Sequence, residues 1–399
     1  MCSRHLLKLG SLYSAGPLKN VRLNGPSPFP AASDKFNFAY FSTGQKLHRR
    51  LSSLDHQIIS KDDKRDFMAV FPDIVRDITK LEKNLPELSN WYVKVLQYNV
   101  SSGKNLRGMS VVYSYRFLAP NSLTPENVRI SQILGWCVEM VQGFFIVLDD
   151  IIDESETRRG RPCWYKVPGV GLKALNDALL LESSIYKLLK QHLNGTPHYI
   201  PIMELFHETT LNTTIGQIID TNTASLDGTQ FEKINMDRYN FITTYKTSCY
   251  TFHLPVAIGM YLAGIFDKEM HRQAKTVLLA MGHYFQVQDD YLDVFGDIEL
   301  TGKQGTDIKH GKCTWLAAVA LQRASPSQRK LFEECYGKPE QEKIDKIKEL
   351  FIEMGIPALY STYEEDTYNL ITTQIQQLSA GLPHDLFFGL LDRIHGRKH

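Results

Sequence analysis

Two groups of aspartates have the spacing to do chemistry: Asp149-Asp150-Ile151-Ile152-Asp153 and Asp289-Asp290-Tyr291-Leu292-Asp293. Within each group the outer aspartates are one helical turn apart on a shared face, with the second aspartate beside them. The first group directly follows the apolar run Phe144-Phe145-Ile146-Val147-Leu148. Carboxylates beside such a core are unfavourable unless something pairs them. A single cluster reads as a solvated helix end. Two copies of the same D-D-x-x-D pattern, each behind an apolar helix, point to acidic faces that hold divalent ions between them. Oxygen donors without Cys or His suit Mg²⁺, which keeps waters and shares phosphate oxygens with a substrate.

Cations stand where an anion held by such ions would need them. Ser102-Gly103-Lys104-Asn105-Leu106-Arg107-Gly108 sets Lys104 and Arg107 between glycines that let the backbone approach a phosphate. Taken alone it is a turn with solvated charges. Thr157-Arg158-Arg159-Gly160-Arg161-Pro162 follows directly on the first acid group, and adjacent guanidinium groups suit bidentate phosphate contact. Gln142 lies two turns before Asp149, where a buried amide needs a partner. Lys246-Thr247, the loop around Lys303, and Lys312 complete the set. Gly169-Val170-Gly171 is no dinucleotide loop, because no strand precedes it and the third glycine is missing.

Helices must position these groups. Asp62 to Glu82 reads as the first, with Pro72 as a kink point, and Asn90 to Tyr98 as the next. Thr124-Pro125-Glu126 is a helix start, with Thr as N-cap and Pro at the first position, and the helix runs to about Asp153. It is apolar nearly all round and belongs inside a bundle. Further helices are expected over Leu172 to Leu193, Ile202 to Thr223 (carrying Gln217 and Asp220), Met236 to Tyr250, Pro255 to Ala263 and Asp267 to Asp293. Another begins near Thr314-Trp315, and helices continue to the basic end. No strand series is visible, so the class is all-α.

The chain has 399 residues, a length that allows two or three domains though one large helical domain also fits, and its formal net charge of +1 gives no reason to expect nucleic acid. Cys2, Cys137, Cys163, Cys249, Cys313 and Cys335 form no paired motif and read as reduced thiols of an intracellular protein. The best candidate for a membrane span, Phe252 to Phe266, is too short and broken by His253 and Pro255, so no span is expected. Met1 to Ala32 has no acidic residue and carries Arg4, Lys8, Lys19 and Arg22 among serines, the composition of a mitochondrial presequence. The expected organisation is therefore a presequence-like segment over 1–51 and a helical domain over 52–399, with a mitochondrial address; the alternative is a plain tail on a cytoplasmic protein.

Taken together, Leu148 to Asp153, Thr157-Arg158-Arg159-Gly160, Gly216-Gln217-Ile218-Ile219-Asp220, Tyr245-Lys246-Thr247, Phe285 to Asp293 and Gly302-Lys303-Gln304-Gly305-Thr306-Asp307 resemble the short-chain trans-prenyl diphosphate synthases, most closely the farnesyl diphosphate synthases of eukaryotes. The likeness spans about Phe67 to Lys398. It implies a single large all-α bundle around a central cavity and a homodimer. It implies that Asp149, Asp153 and Asp289 coordinate three Mg²⁺ ions, with Asp150, Asp290 and Asp293 in the same motifs. Arg158, Lys246, Lys303 and Lys312 would then hold the allylic diphosphate. Lys104, Arg107, Gln142 and Arg159 would bind isopentenyl diphosphate, and Lys246, Thr247 and Gln286 would shield an allylic cation. Phe144 and Phe145 would end the chain at about three isoprene units. A terpene synthase on the same scaffold, a geranyl product and a non-catalytic partner subunit are the alternatives. The family pattern Gly-Gly-Lys-x-Asn-Arg-Gly is altered here: Ser102 replaces a Gly, and Leu106 stands in place of Asn.

Overall fold

The computed structural model describes residues 60–80, 85–224, 231–297 and 305–395. The expected presequence and Lys303 lie outside them. The described chain is helical apart from one two-stranded hairpin. The helices are α1 (Lys61–Thr79), α2 (Pro86–Asn99), α3 (Leu106–Leu118), α4 (Pro125–Ile152), α5 (Ala174–Leu193), α6 (Tyr199–Ala224) and α7 (Met236–Ile242). A π-helix, Thr243–His253, leads into α8 (Leu254–Leu262) and α9 (Lys268–Phe295). Then come α10 (Asp307–His310), α11 (Trp315–Arg323), α12 (Pro326–Cys335), α13 (Gln341–Glu353), α14 (Ile356–Gln376) and α15 (His384–Ile394).

Local chemistry accounts for the starts. Thr124 accepts the Asn127 N–H with Pro125 at the first position of α4, and Asp267 accepts the Met270 N–H ahead of α9. Helices α4 and α9 are each 28 residues long, and each delivers one acid group at its C-terminal end. Neither has a basic residue in its last turn. Aspartates there oppose the helix dipole, by about 0.3–1 kcal/mol each when exposed, so something else must hold them.

Two apolar clusters fill the body. One gathers α1 to α5 with parts of α6 and α8, around Trp136, Phe206 and Ile258; the other gathers α7, α9 and α11 to α15, around Tyr284, Trp315 and Phe387. Asp177 of α5 ties three segments by accepting both indole N–H groups, from Trp91 and Trp164 at 2.8 Å. Between the clusters runs the π-helix. It packs against α6 so closely that a Cβ on Gly216 would sit 2.2 Å from the Lys246 backbone nitrogen, which makes glycine obligatory there. Among the described residues one helix, α4, is long and apolar enough to cross a membrane, and 78% of its apolar window is packed inside the protein. It is not the Phe252–Phe266 stretch singled out from composition, which is the end of the π-helix, α8 and the turn after it. Cys137, Cys163, Cys249, Cys313 and Cys335 are free and buried.

His283 of α9 joins α7 and α14. Its Nε2 donates to the Asn240 side-chain oxygen at 2.8 Å and its Nδ1 accepts the Tyr363 hydroxyl at 2.9 Å, an arrangement that needs the neutral ring. Burial holds its pKa down at about 4, from 6.5. Above pH 6.5 both folded and unfolded chains carry the neutral imidazole. As pH falls toward 4 the unfolded chain takes a proton that the folded one refuses, so stability falls across that window. We expect the slope of stability against pH there to shrink by about one proton in His283→Gln, measured by denaturant unfolding. An unchanged slope would refute this.

Candidate active site

The structure brings the two acid groups together through two separate bridges. In the first, Lys246 of the π-helix donates to Asp149 at 3.3 Å, while its neighbour Thr247 donates to the Gln286 side-chain oxygen of α9 at 2.8 Å. In the second, Lys312 donates to both oxygens of Asp153, at 2.9 and 3.0 Å, and the Trp315 N–H, three residues on, donates to Asp290 at 2.8 Å. Asp149 and Asp153 therefore stand over the same strip of chain as the second motif.

Asp220 of α6 was placed on its helix by the sequence but given no task. It accepts Lys246 at 2.5 Å and Lys312 at 3.3 Å and so joins the bridges. Gln217, one turn earlier, donates to Asp149 at 2.7 Å. Burial would raise the carboxyl pKa of Asp149 and Asp220; Lys246 and Lys312, with Arg158 beside Asp149, overcome it and hold both below the ordinary range. The same carboxylates keep Lys246 and Lys312 protonated despite their burial.

The outer aspartates of each motif, Asp149, Asp153, Asp289 and Asp293, are half-buried, whereas Asp150 and Asp290 are buried. Asp150 and Asp290, grouped with the metal ligands in the sequence, are thus the buried members of their motifs. A step of one residue turns the helix by about 100° and carries the second aspartate off the shared face. Asp150 receives Arg158 through Nε at 3.0 Å and Nη2 at 2.6 Å, and burial raises its pKa against that pull. Asp290 receives the Gln286 amide at 2.8 Å on one oxygen and the Trp315 N–H on the other. Burial pushes its carboxyl up to about 7, offset in part by those two donors. Asp293 accepts the Asp307 N–H at 3.0 Å, which seats the start of α10.

Arg158 and Arg159 sit on the hairpin Thr157–Arg158 and Arg161–Pro162, with Arg158 opposite Arg161. Arg159 and Gly160 are its turn, at φ 55° and 71°. Positive φ at both positions is a type I′ turn, natural for Gly160 and strained for Arg159. From this turn the Arg159 guanidinium passes Gly103 to reach Ser102, whose carbonyl and hydroxyl both accept it. So the substituted Ser102 binds the arginine directly. Burial lowers the Arg159 pKa, Glu139 opposes that, and Arg107, Arg158 and Arg161 add to it. Such a concentration of positive charge favours an anion.

Arg107 donates to Thr251 at 3.1 Å and stacks its guanidinium 4.9 Å from the Tyr250 ring centre. Glu139 accepts the Gly108 N–H at 2.7 Å and so fixes the end of the loop that carries Lys104 and Arg107. Gln142, one turn beyond Glu139 on α4, has a buried side-chain oxygen with no hydrogen-bond partner among the described residues. Lys104 is exposed at the loop tip, and Leu106 is 43% exposed. Phe144 is buried and Phe145 half-buried, their ring centres 4.2 Å apart, with Tyr250 6.3 Å from Phe145.

Mg²⁺ fits this donor set. The half-buried aspartates supply oxygen only, and among the described residues no three His, Cys, Asp or Glu side chains converge tightly enough to hold an ion alone. A cation that completes its shell with water and phosphate oxygens is the kind such a site takes.

Comparison with known proteins agrees with the geometry. The polyprenyl synthetase family model matches residues 89–354. The chain belongs to the polyprenyl synthetase family. Among relatives of this family, the farnesyl pyrophosphate synthase of Nezara viridula is 58% identical, over 98% of this chain and 99% of that one. That of Murgantia histrionica is 57% identical, over 96% and 97%. The human farnesyl pyrophosphate synthase is 43% identical over 88% of this chain and 84% of its own length. A T. brucei farnesyl diphosphate synthase solved with a bisphosphonate superposes with a TM-score of 0.77 at 27% identity, covering 84% of this chain and 99% of that one. The all-α fold expected from the sequence is thus the family's fold.

Proposed function

We propose that the chain is a farnesyl diphosphate synthase, a prenyltransferase that joins isopentenyl diphosphate head-to-tail to dimethylallyl and then geranyl diphosphate. The observation that carries the reading is the pair of adjacent residues Lys246 and Thr247, which reach one acid helix each through Asp149 and Gln286. Together they place a phosphate-binding cation next to a run of oxygen dipoles.

Lys246, Lys312 and Arg158 grip the allylic diphosphate and stabilise the negative charge that grows on it as the C–O bond breaks. Mg²⁺ held by Asp149, Asp153 and Asp289 would neutralise the same leaving group. The Thr247 hydroxyl and Gln286 amide oxygen lie beside the allylic carbon and favour its positive charge. Lys104, Arg107, Arg159 and Gln142 hold isopentenyl diphosphate so that its double bond attacks that carbon. The new C–C bond leaves a tertiary cation, which loses a proton to the departed diphosphate. Released products are the longer allylic diphosphate and inorganic pyrophosphate.

A homodimer is part of this proposal. Leu172, Leu175 and Leu179 ahead of and along α5, and Leu211 and Ile218 on α6, leave large apolar side chains exposed on neighbouring helices, which supports it. The acid-free Met1 to Ala32 composition supports a mitochondrial address.

Product analysis tests the function. Purified protein with isopentenyl diphosphate, dimethylallyl diphosphate and Mg²⁺ should release the fifteen-carbon diphosphate. A ten-carbon product alone would make it a geranyl synthase. Hydrocarbon or terpene alcohol from farnesyl diphosphate alone would make it a terpene synthase, and no turnover would leave a binding subunit.

A further inference from the structure

Asp290 sits in a metal-binding motif, yet neither of its oxygens is free for a metal. One accepts the Gln286 amide Nε2–H at 2.8 Å and the other the Trp315 backbone N–H at 2.8 Å. The residue is 4% exposed. Trp315 opens α11, whose N-cap Thr314 accepts the Ala317 N–H, so the carboxylate also lies at the positive end of a helix. On the far side of Gln286, its Oε1 accepts the Thr247 hydroxyl at 2.8 Å.

The polarity of this chain of bonds is set at one end. In its ionised form Asp290 only accepts, so the Gln286 group facing it is then the NH₂. The amide oxygen then faces Thr247, and the Thr247 hydroxyl must donate. A primary amide is nearly symmetric in shape, and without an acceptor-only neighbour it can rotate by half a turn. That would put its NH₂, a positive dipole end, where the oxygen stood.

We propose that Asp290 is a positioning residue which locks the Gln286 amide with its oxygen toward Thr247 and the reacting allylic carbon, and that it is not a magnesium ligand. The inference rests on the reaction proposed above. It explains why the second aspartate is buried while Asp289 and Asp293 are not.

Asp290→Asn is the sharpest variant, because it is isosteric and has one acceptor oxygen for two donors. If that oxygen stays on the Trp315 N–H, the new side chain turns its NH₂ toward Gln286 and drives the amide to flip. Expected is a fall in kcat of about 100-fold, comparable to the loss of one oriented dipole at a charged transition state. KM for both diphosphates should stay within about threefold, the range of a change that leaves ground-state binding intact. Binding of Mg²⁺ in the presence of inorganic pyrophosphate, measured by calorimetry, should be unchanged. Adding Gln286→Glu should restore most of kcat, since the carboxylate it introduces accepts from both Thr247 and the amide that Asp290→Asn supplies.

A rate for Asp290→Asn equal to the parent's would overturn the proposal. So would weakened Mg²⁺ binding with kcat recovered at excess Mg²⁺, or a double variant no faster than the single one. Should Asp290→Asn fail to fold, Gln286→Glu alone sets two carboxylates against each other, and a kcat equal to the parent's would overturn the proposal in the same way. The parent enzyme's turnover in the same assay reports on the reaction itself. Failure there is therefore separate from failure of the assignment.

Discussion

Replacing Asp149 with Asn is expected to lower kcat by at least about 10³-fold, more than any other single change in the first acid group. Asp149 is where three different controls meet: the Lys246 ammonium at 3.3 Å, the Gln217 amide at 2.7 Å and the Arg158 guanidinium at 3.7 Å. Burial works against its negative charge, and the surrounding cations more than compensate, so the carboxyl stays ionised well below the ordinary range. A ligand for a hard cation needs that permanent charge. Asparagine keeps the shape and the Gln217 contact but loses the charge. The fold should survive, because Lys246 and Lys312 both retain Asp220. Asp150→Asn makes the contrast. It acts through the orientation of Arg158, and its loss should be one to two orders of magnitude smaller, with no change in the Mg²⁺ needed for half-maximal rate. Initial rates over a Mg²⁺ series decide between them. If Asp150→Asn raises the Mg²⁺ requirement and Asp149→Asn does not, the two roles are exchanged.

The features that were legible in the sequence are those fixed within a turn or two of chain. Thr124-Pro125 starts α4 by capping its own first turn. Asp149 and Asp153 share a face because four residues make a turn. Their placement also carried a warning that could be read early: aspartates at a helix C-terminus, with no basic residue in the last turn, oppose the dipole and require outside cations. Which cations could not be read. Asp220 meets Lys246 from 26 positions away and Lys312 from 92, and no local pattern encodes either distance. The π-helix was invisible for a different reason. Its residues, Thr243–His253, continue the helical pattern of α7, and the widened register is stabilised by packing of α6 and α9 on either side. Pro255, which has no N–H to give, lies where the ordinary register resumes in α8. The resemblance gave Asp149, Asp153 and Asp289 to the metal and placed the other aspartates in the same motifs, but it did not say what the inner pair touches. The outer aspartates are half-buried, and the inner ones hold Arg158 and Gln286.

Chain length should yield to the floor below the aspartates. Phe145 lies one turn before Asp149 on the same face of α4, about 6 Å deeper. It is half-buried, and its ring is flanked by Phe144 at 4.2 Å and Tyr250 at 6.3 Å. Phe144 is five residues from Asp149, turned off that face and buried in the apolar cluster, so it acts on the tail by bracing Phe145. We expect Phe145→Ala to move a large share of product from fifteen carbons to twenty, and Phe144→Ala a smaller share. The double substitution should make products of twenty carbons or more dominant, since it removes both the stop and its support. A second effect follows from Tyr250. Its ring also carries the Arg107 guanidinium at 4.9 Å, so a tail that pushes Tyr250 aside also disturbs an isopentenyl diphosphate contact. The double variant should therefore show a raised KM for isopentenyl diphosphate together with longer products, while KM for the allylic substrate changes little. Chromatography of dephosphorylated products against standards reads the first effect, and initial rates read the second. Only fifteen-carbon product from the double variant would show that the stop lies elsewhere.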